Sequence, residues 1–357
     1  MSTWLITGGA GFIGSNFVRL AAARSAARLV VLDALTYAGN LANIADLIEG
    51  GRIHFVQADI CDSASLADLF GHYDIQRVIH FAAESHVDRS VLGAQAFIRT
   101  NVEGTYRLME ATRKAWMSSW PKGLFVHVST DEVFGTLDPT AAPFTEQSPY
   151  NPSSPYSASK AAADHIVRAW QRTYGLPAII VNPSNNYGPR QFPEKLIPLM
   201  TLNAIEGRPL PIYGDGLQVR DWLHVEDHCE ALLLLIEKGK PGQTYAVSSG
   251  DERANIEVVR HICRIVDDVL ARAPGTSVSL IRHVADRPGH DRRYALSARK
   301  LREELGWRPR HSFDDAIASV VMWYFDNRRW ADAIRSGEYM QYYQSQYGER
   351  AQALAEA

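Results

Sequence analysis

The sequence predicts an α/β fold, a doubly wound parallel sheet with a smaller, interleaved C-terminal lobe. Three observations lead there: short apolar runs alternate with helical segments through the first half, a glycine-rich turn joins the first run to the first helix, and prolines break the texture beyond residue 183. A βαβ rhythm gives a parallel sheet, whose strands are covered on both faces and read as nearly continuous apolar runs. The strands predicted this way are Thr3 to Thr7, Leu29 to Leu32, Ile53 to Gln57, Val78 to Phe81, Leu124 to Ser129 and Ala178 to Val181. The intervening helices are Phe12 to Arg24, Ser63 to Phe70, Ala94 to Trp116 and Tyr156 to Tyr174.

After Pro183, residues Pro193, Pro198, Pro209 and Pro211 divide the chain into short pieces before a helical run from Val225 to Lys238. Residues 1–183 are therefore read as the sheet domain, 184–345 mainly as the second lobe, and 346–357 as a frayed tail. Val219 to His224 and Gln243 to Val247 read as strands that extend or flank the main sheet, so a segment of about 219–250 rejoins the first domain. No internal repeat is visible.

A chain of 357 residues can bury a sizeable core. Its 37 Lys and Arg against 40 Asp and Glu leave a formal charge of -3, so no positive field draws it to nucleic acid or an anionic membrane, and any anion must be held locally. Cys61, Cys229 and Cys263 are scattered without a CxxC pair, which favours reduced thiols and a cytoplasmic setting. The first strand begins almost at Met1, with no basic leader before it and no apolar stretch of bilayer length, so the expectation is a chain neither exported nor embedded in a membrane.

The run Trp4-Leu5-Ile6-Thr7-Gly8-Gly9-Ala10-Gly11-Phe12-Ile13-Gly14 ends a strand and opens a helix, the setting of a Rossmann-type pyrophosphate turn. Gly8, Gly11 and Gly14 let backbone approach the ligand without a Cβ in the way, and the helix N-terminus offers unpaired N–H donors at its positive end. Asp33, closing the next strand, is placed to accept from adenosine ribose hydroxyls and to repel a 2′-phosphate, which favours NAD over NADP. Asp59 and Ile60 follow the third strand, where the aspartate could face the adenine or cap the following helix. Phe81, Ala82 and Ala83 end the fourth strand with small residues over which a cofactor could lie, and Ser85 or His86 could reach beyond it.

Tyr156 and Lys160 are four apart on a predicted helix and so face the same way. A phenol is a poor base at neutral pH, but a neighbouring ammonium and a nicotinamide cation both favour its ionised form. Asp131 and Glu132 follow Ser129 and Thr130 at the C-terminal edge of the fifth strand, where open α/β sheets place ligands. An acid and a base side by side are what elimination of water requires, although Asp131 in that position could equally cap a helix or make a turn.

Ser129 and Thr130 with Tyr156 and Lys160 make up the Ser/Thr, Tyr and Lys set of the short-chain dehydrogenases/reductases, which the chain resembles, and the long second half fits the extended, nucleotide-sugar-modifying branch. More narrowly, Ser129-Thr130-Asp131-Glu132-Val133-Phe134-Gly135 resembles the signature loop of dTDP-glucose 4,6-dehydratases. Further matching motifs are Ala82 to Ser90, Asn185 to Pro189, Glu194 to Pro198 and Arg287 to Tyr294, so the resemblance runs from residue 3 to about 310. Phe134 departs from the family's usual tyrosine and is expected to be neutral unless that hydroxyl bonds something.

The resemblance implies bound NAD, a dTDP-hexose substrate and a cycle with no net redox change, in deoxysugar and surface-polysaccharide precursor synthesis. Tyr156 would take the C4 hydroxyl proton, Thr130 hold the C4 oxygen, and Lys160 orient the nicotinamide ribose and lower the phenol pKa. Glu132 would take the C5 proton while Asp131 protonates the departing C6 hydroxyl. It also implies Thr36, Thr100 and Asn186 as cofactor contacts. Arg220 and Arg287 are chosen as the diphosphate clamp because guanidinium forks match phosphate oxygens. Ser85, Asn185, Lys195, Leu196, Pro211, Tyr213, Asn255, His290 and Tyr294 complete the implied substrate set. A homodimer through the helices Ala94 to Trp116 and Tyr156 to Tyr174 is implied as well. No His, Cys and carboxylate set has metal-ligand spacing in the sequence, and His224 and His228 read as ordinary helix-start residues. The competing functions are a nucleotide-sugar 4-epimerase or decarboxylase, which would not need the acid pair, and a catalytically silent NAD-binding regulator, which would be expected to lack Tyr156, Lys160 or that pair.

Overall fold

The computed structural model describes residues 2–117 and 123–335. Seven parallel strands form the central sheet: β1 (Thr3–Thr7), β2 (Arg28–Asp33), β3 (His54–Gln57), β4 (Ile75–His80), β5 (Leu124–Val128), β6 (Ala178–Pro183) and β10 (Thr244–Val247). Their order across the sheet is β10-β6-β5-β4-β1-β2-β3, so the winding direction reverses between β1 and β4. A crevice opens at such a switch point beyond the carboxyl ends of the strands, and ligands bind there. β1, β5 and β6 are buried along their whole length, whereas the edge strand β3 is only partly covered, as its mixed sequence His-Phe-Val-Gln allows.

One face of the sheet is covered by the helices Phe12–Arg24 and Val225–Lys238, whose apolar sides share a core with Ile6, Val31, Val126 and Tyr245. The other face carries Ser63–His72, Thr105–Trp116 and Pro155–Tyr174 over Leu5, Val30, Val78 and Phe125. A separate core lies in the C-terminal half, where the helices Leu196–Glu206, Asn255–Val269 and Phe313–Asp326 enclose Met200, Ile262, Phe313 and Val320.

Two sequence-based expectations change. Val219 to His224 is a strand with those bounds, β9, but it does not extend the main sheet; it is the middle of a three-stranded sheet with β7 (Asn185–Tyr187) and β11 (Glu252–Ala254). A fully apolar-to-polar run such as Val-Arg-Asp-Trp-Leu-His fixes strand type but not partner, which is chosen by tertiary packing. The remaining strands, β8 (Leu210–Tyr213) and β12 (Ile281–Val284), pair parallel with each other. The stretch expected as one helix from Ala94 to Trp116 is interrupted by a π-helical segment, Ile98–Gly104, between Gln95–Phe97 and Thr105–Trp116. At the end of this segment Gly104 passes close to the loop after β3, where a Cβ would lie 2.6 Å from Ile60 Cδ1. The tail assigned to 346–357 lies outside the described residues.

Candidate active site

The turn between β1 and the helix Phe12–Arg24 is shaped by what its glycines lack. Gly8 takes a left-handed φ of 70°, and a Cβ there would lie 2.6 Å from the Ala82 backbone nitrogen. A Cβ on Gly14 would overlap the Gly8 carbonyl oxygen. Gly11 stands at the helix N-cap without a side-chain cap, so the first-turn N–H groups stay available to an anion. At the end of β2, Asp33 accepts from the backbone N–H of Ala10 and of Leu35, both at 2.9 Å. Burial raises its pKa while those two bonds lower it.

A cavity of about 300 Å³ runs from this turn along the carboxyl ends of β1, β2, β4 and β5. Every residue expected to hold the cofactor lines it: Gly8, Gly11, Phe12, Ile13, Gly14, Asp33, Thr36, Asp59, Ile60, Phe81, Ala82, Ala83, Thr100, Tyr156, Lys160 and Asn186. These residues fit a dinucleotide, because a Cβ would fill the cradle at Gly8 and Gly14 and a carboxylate stands where a 2′-phosphate would otherwise go. The choice left open for Asp59 resolves by its bonds: it accepts from Cys61 N at 2.8 Å and pairs with Arg99 at 3.3 Å, while Asp62 caps the following helix.

The helix Pro155–Tyr174 starts at a reciprocal Ser154 and Ser157 cap with proline in its first turn, which fixes the position of Tyr156 one residue inside. Tyr156 and Lys160 are both buried, and Lys160 Nζ donates to the Val128 carbonyl at 2.8 Å. Burial lowers the lysine pKa to about 8, with Asp164 opposing the shift. The phenol is driven the other way, well above its ordinary value, by burial first and then by the Glu132 charge; a hydrogen bond with Thr130 is the main opposing influence. The leading influences on the phenol are burial, Glu132 and Thr130, and Lys160 is not among them. Helical spacing puts both side chains on one face, but the lysine stem reaches to the end of β5 and spends its ammonium on a carbonyl there.

The acid pair sits on a 3-10 turn, Asp131–Phe134, capped by the Thr130 hydroxyl, which accepts from Glu132 N at 3.2 Å. Thr130, not Asp131, is the cap, so the aspartate is left for other work; its Oδ2 is buried without a hydrogen-bond partner. Burial, reinforced by Glu132, raises the Asp131 pKa well above its ordinary value. Glu132 is also raised by burial, but Arg287, Lys195 and Arg220 hold it down. Burial thus raises both carboxyl groups, but the neighbouring charge adds to the shift at Asp131 and the nearby cations oppose it at Glu132, an asymmetry that suits the aspartate to the acid role and the glutamate to the base role.

A second cavity of about 160 Å³ adjoins the first and shares Glu132, Asn185, Asn186 and Lys195 with it. Leu196, Pro211, Tyr213, Arg220, Asn255, Arg287, His290 and Tyr294 line it, so it gathers the rest of the expected substrate set except Ser85 and Thr130, which face the first cavity. Arg220 stacks over the Tyr294 ring at 4.3 Å and bonds the Asp291 carbonyl at 3.0 Å, and Arg287 stands 3.7 Å from Asp88, so both guanidiniums are positioned before any ligand contact. Lys195 donates to the Ser85 carbonyl at 3.0 Å across the boundary of the two cavities.

Three groups escaped the sequence reading. Half-buried Tyr37 lies beneath the Arg89 guanidinium at 4.0 Å, and Arg89 pairs with Glu194 at 3.2 Å against the wall of the first cavity. Arg89 and Glu194 lay within quoted motifs, but nothing in their spacing shows that they meet. Beneath Lys160, buried Asp164 accepts from Ser129 at 2.8 Å and Tyr150 at 2.6 Å and faces His127 at 3.1 Å, tying the reacting helix to β5. Spacing along the sequence shows no metal-type set, but in space His224, Glu226 and His311 converge from positions more than eighty residues apart. His228 stays outside that group and meets Asn186 at 2.9 Å.

A family model described as GDP-mannose 4,6 dehydratase matches residues 5–320. A dTDP-glucose 4,6-dehydratase of Salmonella typhimurium is 50% identical over 355 residues, covering 96% of this chain and 98% of that protein. One from Xanthomonas campestris is 54% identical over 345 residues, covering 95% and 97%. Among solved structures, the dTDP-glucose 4,6-dehydratase DesIV of Streptomyces venezuelae, with NAD bound, superposes with a TM-score of 0.85 at 46% identity over 93% of this chain and 99% of that one. The UDP-glucose 4-epimerase of Thermus thermophilus, also with NAD, gives 0.80 at 30% identity over 91% and 99%.

Proposed function

This chain belongs to the dTDP-glucose 4,6-dehydratase family of the extended short-chain dehydrogenases/reductases, and from that premise we propose how its own residues divide the work. The enzyme is an NAD-dependent hydro-lyase that converts dTDP-glucose to dTDP-4-keto-6-deoxy-glucose. Bound NAD supplies a temporary place for the hydride that leaves C4 and returns to C6. Its holders are the glycine turn, Asp33 and the small residues after β4. Tyr156 takes the proton of the C4 hydroxyl while Thr130 holds the same oxygen. A ketone at C4 then acidifies C5, Glu132 takes the C5 proton, Asp131 gives its proton to the C6 hydroxyl, and water leaves. Arg220 and Arg287 clamp the diphosphate and, through their charge, oppose the burial that raises the Glu132 pKa.

The observation that carries this reading is a pair of adjacent buried carboxyl groups beside Tyr156, both raised by burial, Asp131 further by the Glu132 charge and Glu132 against the pull of Arg287, Lys195 and Arg220. Fold likeness alone does not, since the epimerase superposes almost as well; epimerisation gives no task to such a pair. Substrate deuterated at C4 should yield product carrying the label at C6 and a mass lower by one water. Release of the label to solvent would sink the internal transfer, and an unchanged mass would sink dehydration.

Residues 1–183 with the segment near 219–250 are proposed as the cofactor domain and 184–345 as the substrate lobe. A homodimer is supported by Val91, Leu92, Ile98, Tyr106 and Tyr174, apolar side chains exposed on the helices around 87–116 and 155–174; light scattering that returned the mass of one chain would refute it. Three buried free thiols support a cytoplasmic setting, testable by fractionation. Among the described residues no helix is long and apolar enough to cross a membrane.

A further inference from the structure

Away from both cavities, three side chains with metal-ligand chemistry meet from two distant stretches of chain. His224 closes β9, Glu226 lies in the first turn of the helix Val225–Lys238, and His311 lies in the segment before the helix Phe313–Asp326. One ligand atom from each falls within 4.8 Å of the other two. His311 Nε2 stands 3.6 Å from Glu226 Oε2, near the ~3.3 Å edge of a tetrahedron with zinc bonds of about 2.0 Å. The two imidazole rings lie 4.2 Å apart, tilted by 34°. Glu226 is exposed and turns on several side-chain bonds, so it can close the rest of the distance.

Two further observations separate this group from a chance meeting of charges. Asp227, itself buried, faces His311 Nδ1 at 3.0 Å through one carboxylate oxygen and accepts the His311 backbone N–H at 3.0 Å through the other. A carboxylate on Nδ1 fixes the ring hydrogen there and leaves the Nε2 lone pair toward Glu226, the arrangement that supports metal-bound histidines. His224 is buried, and its Nδ1 has no hydrogen-bond partner.

We propose that His224, Glu226 and His311 bind one divalent transition-metal ion, zinc being the best match to two imidazoles and a carboxylate, with water completing a tetrahedron and Asp227 orienting His311. The ion is a structural clip. It joins the end of β9, the strand that also carries Arg220, to the segment leading into Phe313, a core residue of the second lobe. Neither cavity includes the three ligands, so the site is separate from the chemistry.

The test is calorimetric titration of the chelator-stripped full chain with zinc chloride, alongside thermal melting with and without one equivalent. The expected result is one ion per chain, a higher melting temperature with zinc, and binding weakened ~100-fold in both Glu226→Gln and His311→Gln. Glu226 is exposed, so its variant folds regardless of the role assigned to it. Absence of stoichiometric binding, or an affinity unchanged in both variants, overturns the proposal, the second result placing zinc on other side chains.

Discussion

The two adjoining cavities are made by different means. The cofactor cavity is largely backbone: a turn forced open by Gly8 and Gly14, helix N–H groups without a cap, and one carboxylate held by two N–H bonds, all within the first thirty-five residues apart from its far wall. The sugar-nucleotide cavity is side chains, with Glu132, Lys195, Arg220, Arg287 and Tyr294 arriving from separate segments and bracing one another. Backbone sites tolerate almost any change except added bulk. Charged side-chain sites depend on each partner and shift pKa values when one is lost. Glu132 belongs to both walls, which is why one residue can respond to the substrate clamp and act beside the nicotinamide position.

The largest effect expected from breaking this arrangement falls on the shared wall. Glu132→Gln keeps size and removes the base, and Asp131→Asn keeps size and removes the acid; each should lower kcat by ~10²–10⁴ while leaving NAD and dTDP-glucose affinity nearly unchanged. Rapid-quench product analysis with parallel binding titrations separates the two quantities. Full turnover in either variant would remove that residue from the elimination step.

Next comes bulk in the backbone cavity. Gly14→Ala places a Cβ onto the Gly8 carbonyl, and the turn must move to relieve it. Displacement of about 1 Å at a positioned ligand costs roughly 10²-fold, so NAD affinity should fall by that order while dTDP affinity holds. NAD retained per purified chain is the readout, and normal retention would show that the cradle is looser than its contacts suggest.

How far each cavity could be read from sequence follows from the same difference. A backbone site is local, so Gly8 to Gly14 and Asp33 announced it by spacing alone, and helix and strand bounds around it were legible, with Phe12–Arg24 matching to the residue. The substrate side needed family resemblance, because nothing local in Arg220 or Arg287 says that they face Glu132. Even β9, whose limits were legible, belongs to a separate three-stranded sheet that its sequence did not indicate. The lysine's hydrogen-bond partner was illegible for a related reason: i,i+4 spacing gives a face, but not whether an ammonium on a long stem meets a phenol or the Val128 carbonyl. The convergence of His224 with His311 was illegible for the same cause, since only tertiary structure closes it.

A smaller effect, with a pH signature, follows from the clamp. Arg287 is the leading charge that lowers the Glu132 pKa against burial. Removing it in Arg287→Gln raises that pKa further, so the base becomes protonated at higher pH. The acidic limb of kcat/KM should therefore move to higher pH, and KM for dTDP-glucose should rise by one to two orders of magnitude, roughly the 1.5–3 kcal/mol of a charged hydrogen bond. A raised KM with an unmoved acidic limb would show that Arg287 binds diphosphate without tuning the base.

The smallest expected effect concerns the one departure from the family loop. Phe134 is buried against Phe144, their rings stacked 5.2 Å apart, and meets the Tyr150 ring edge-on at 5.1 Å in a cluster with Val133, Ala161, Ala246 and Leu296. Tyr150 commits its own hydroxyl to Asp164, the residue that ties the reacting helix to β5. In Phe134→Tyr the new hydroxyl either finds a partner or is buried without one, at a cost of ~1–3 kcal/mol. Neither outcome touches the acid pair, so kcat/KM should stay within about twofold while thermal stability drops or holds. A large change in kcat would mean that packing behind the 3-10 turn sets the position of Asp131 and Glu132, making the shared wall a product of the core as well as of the charges in front of it.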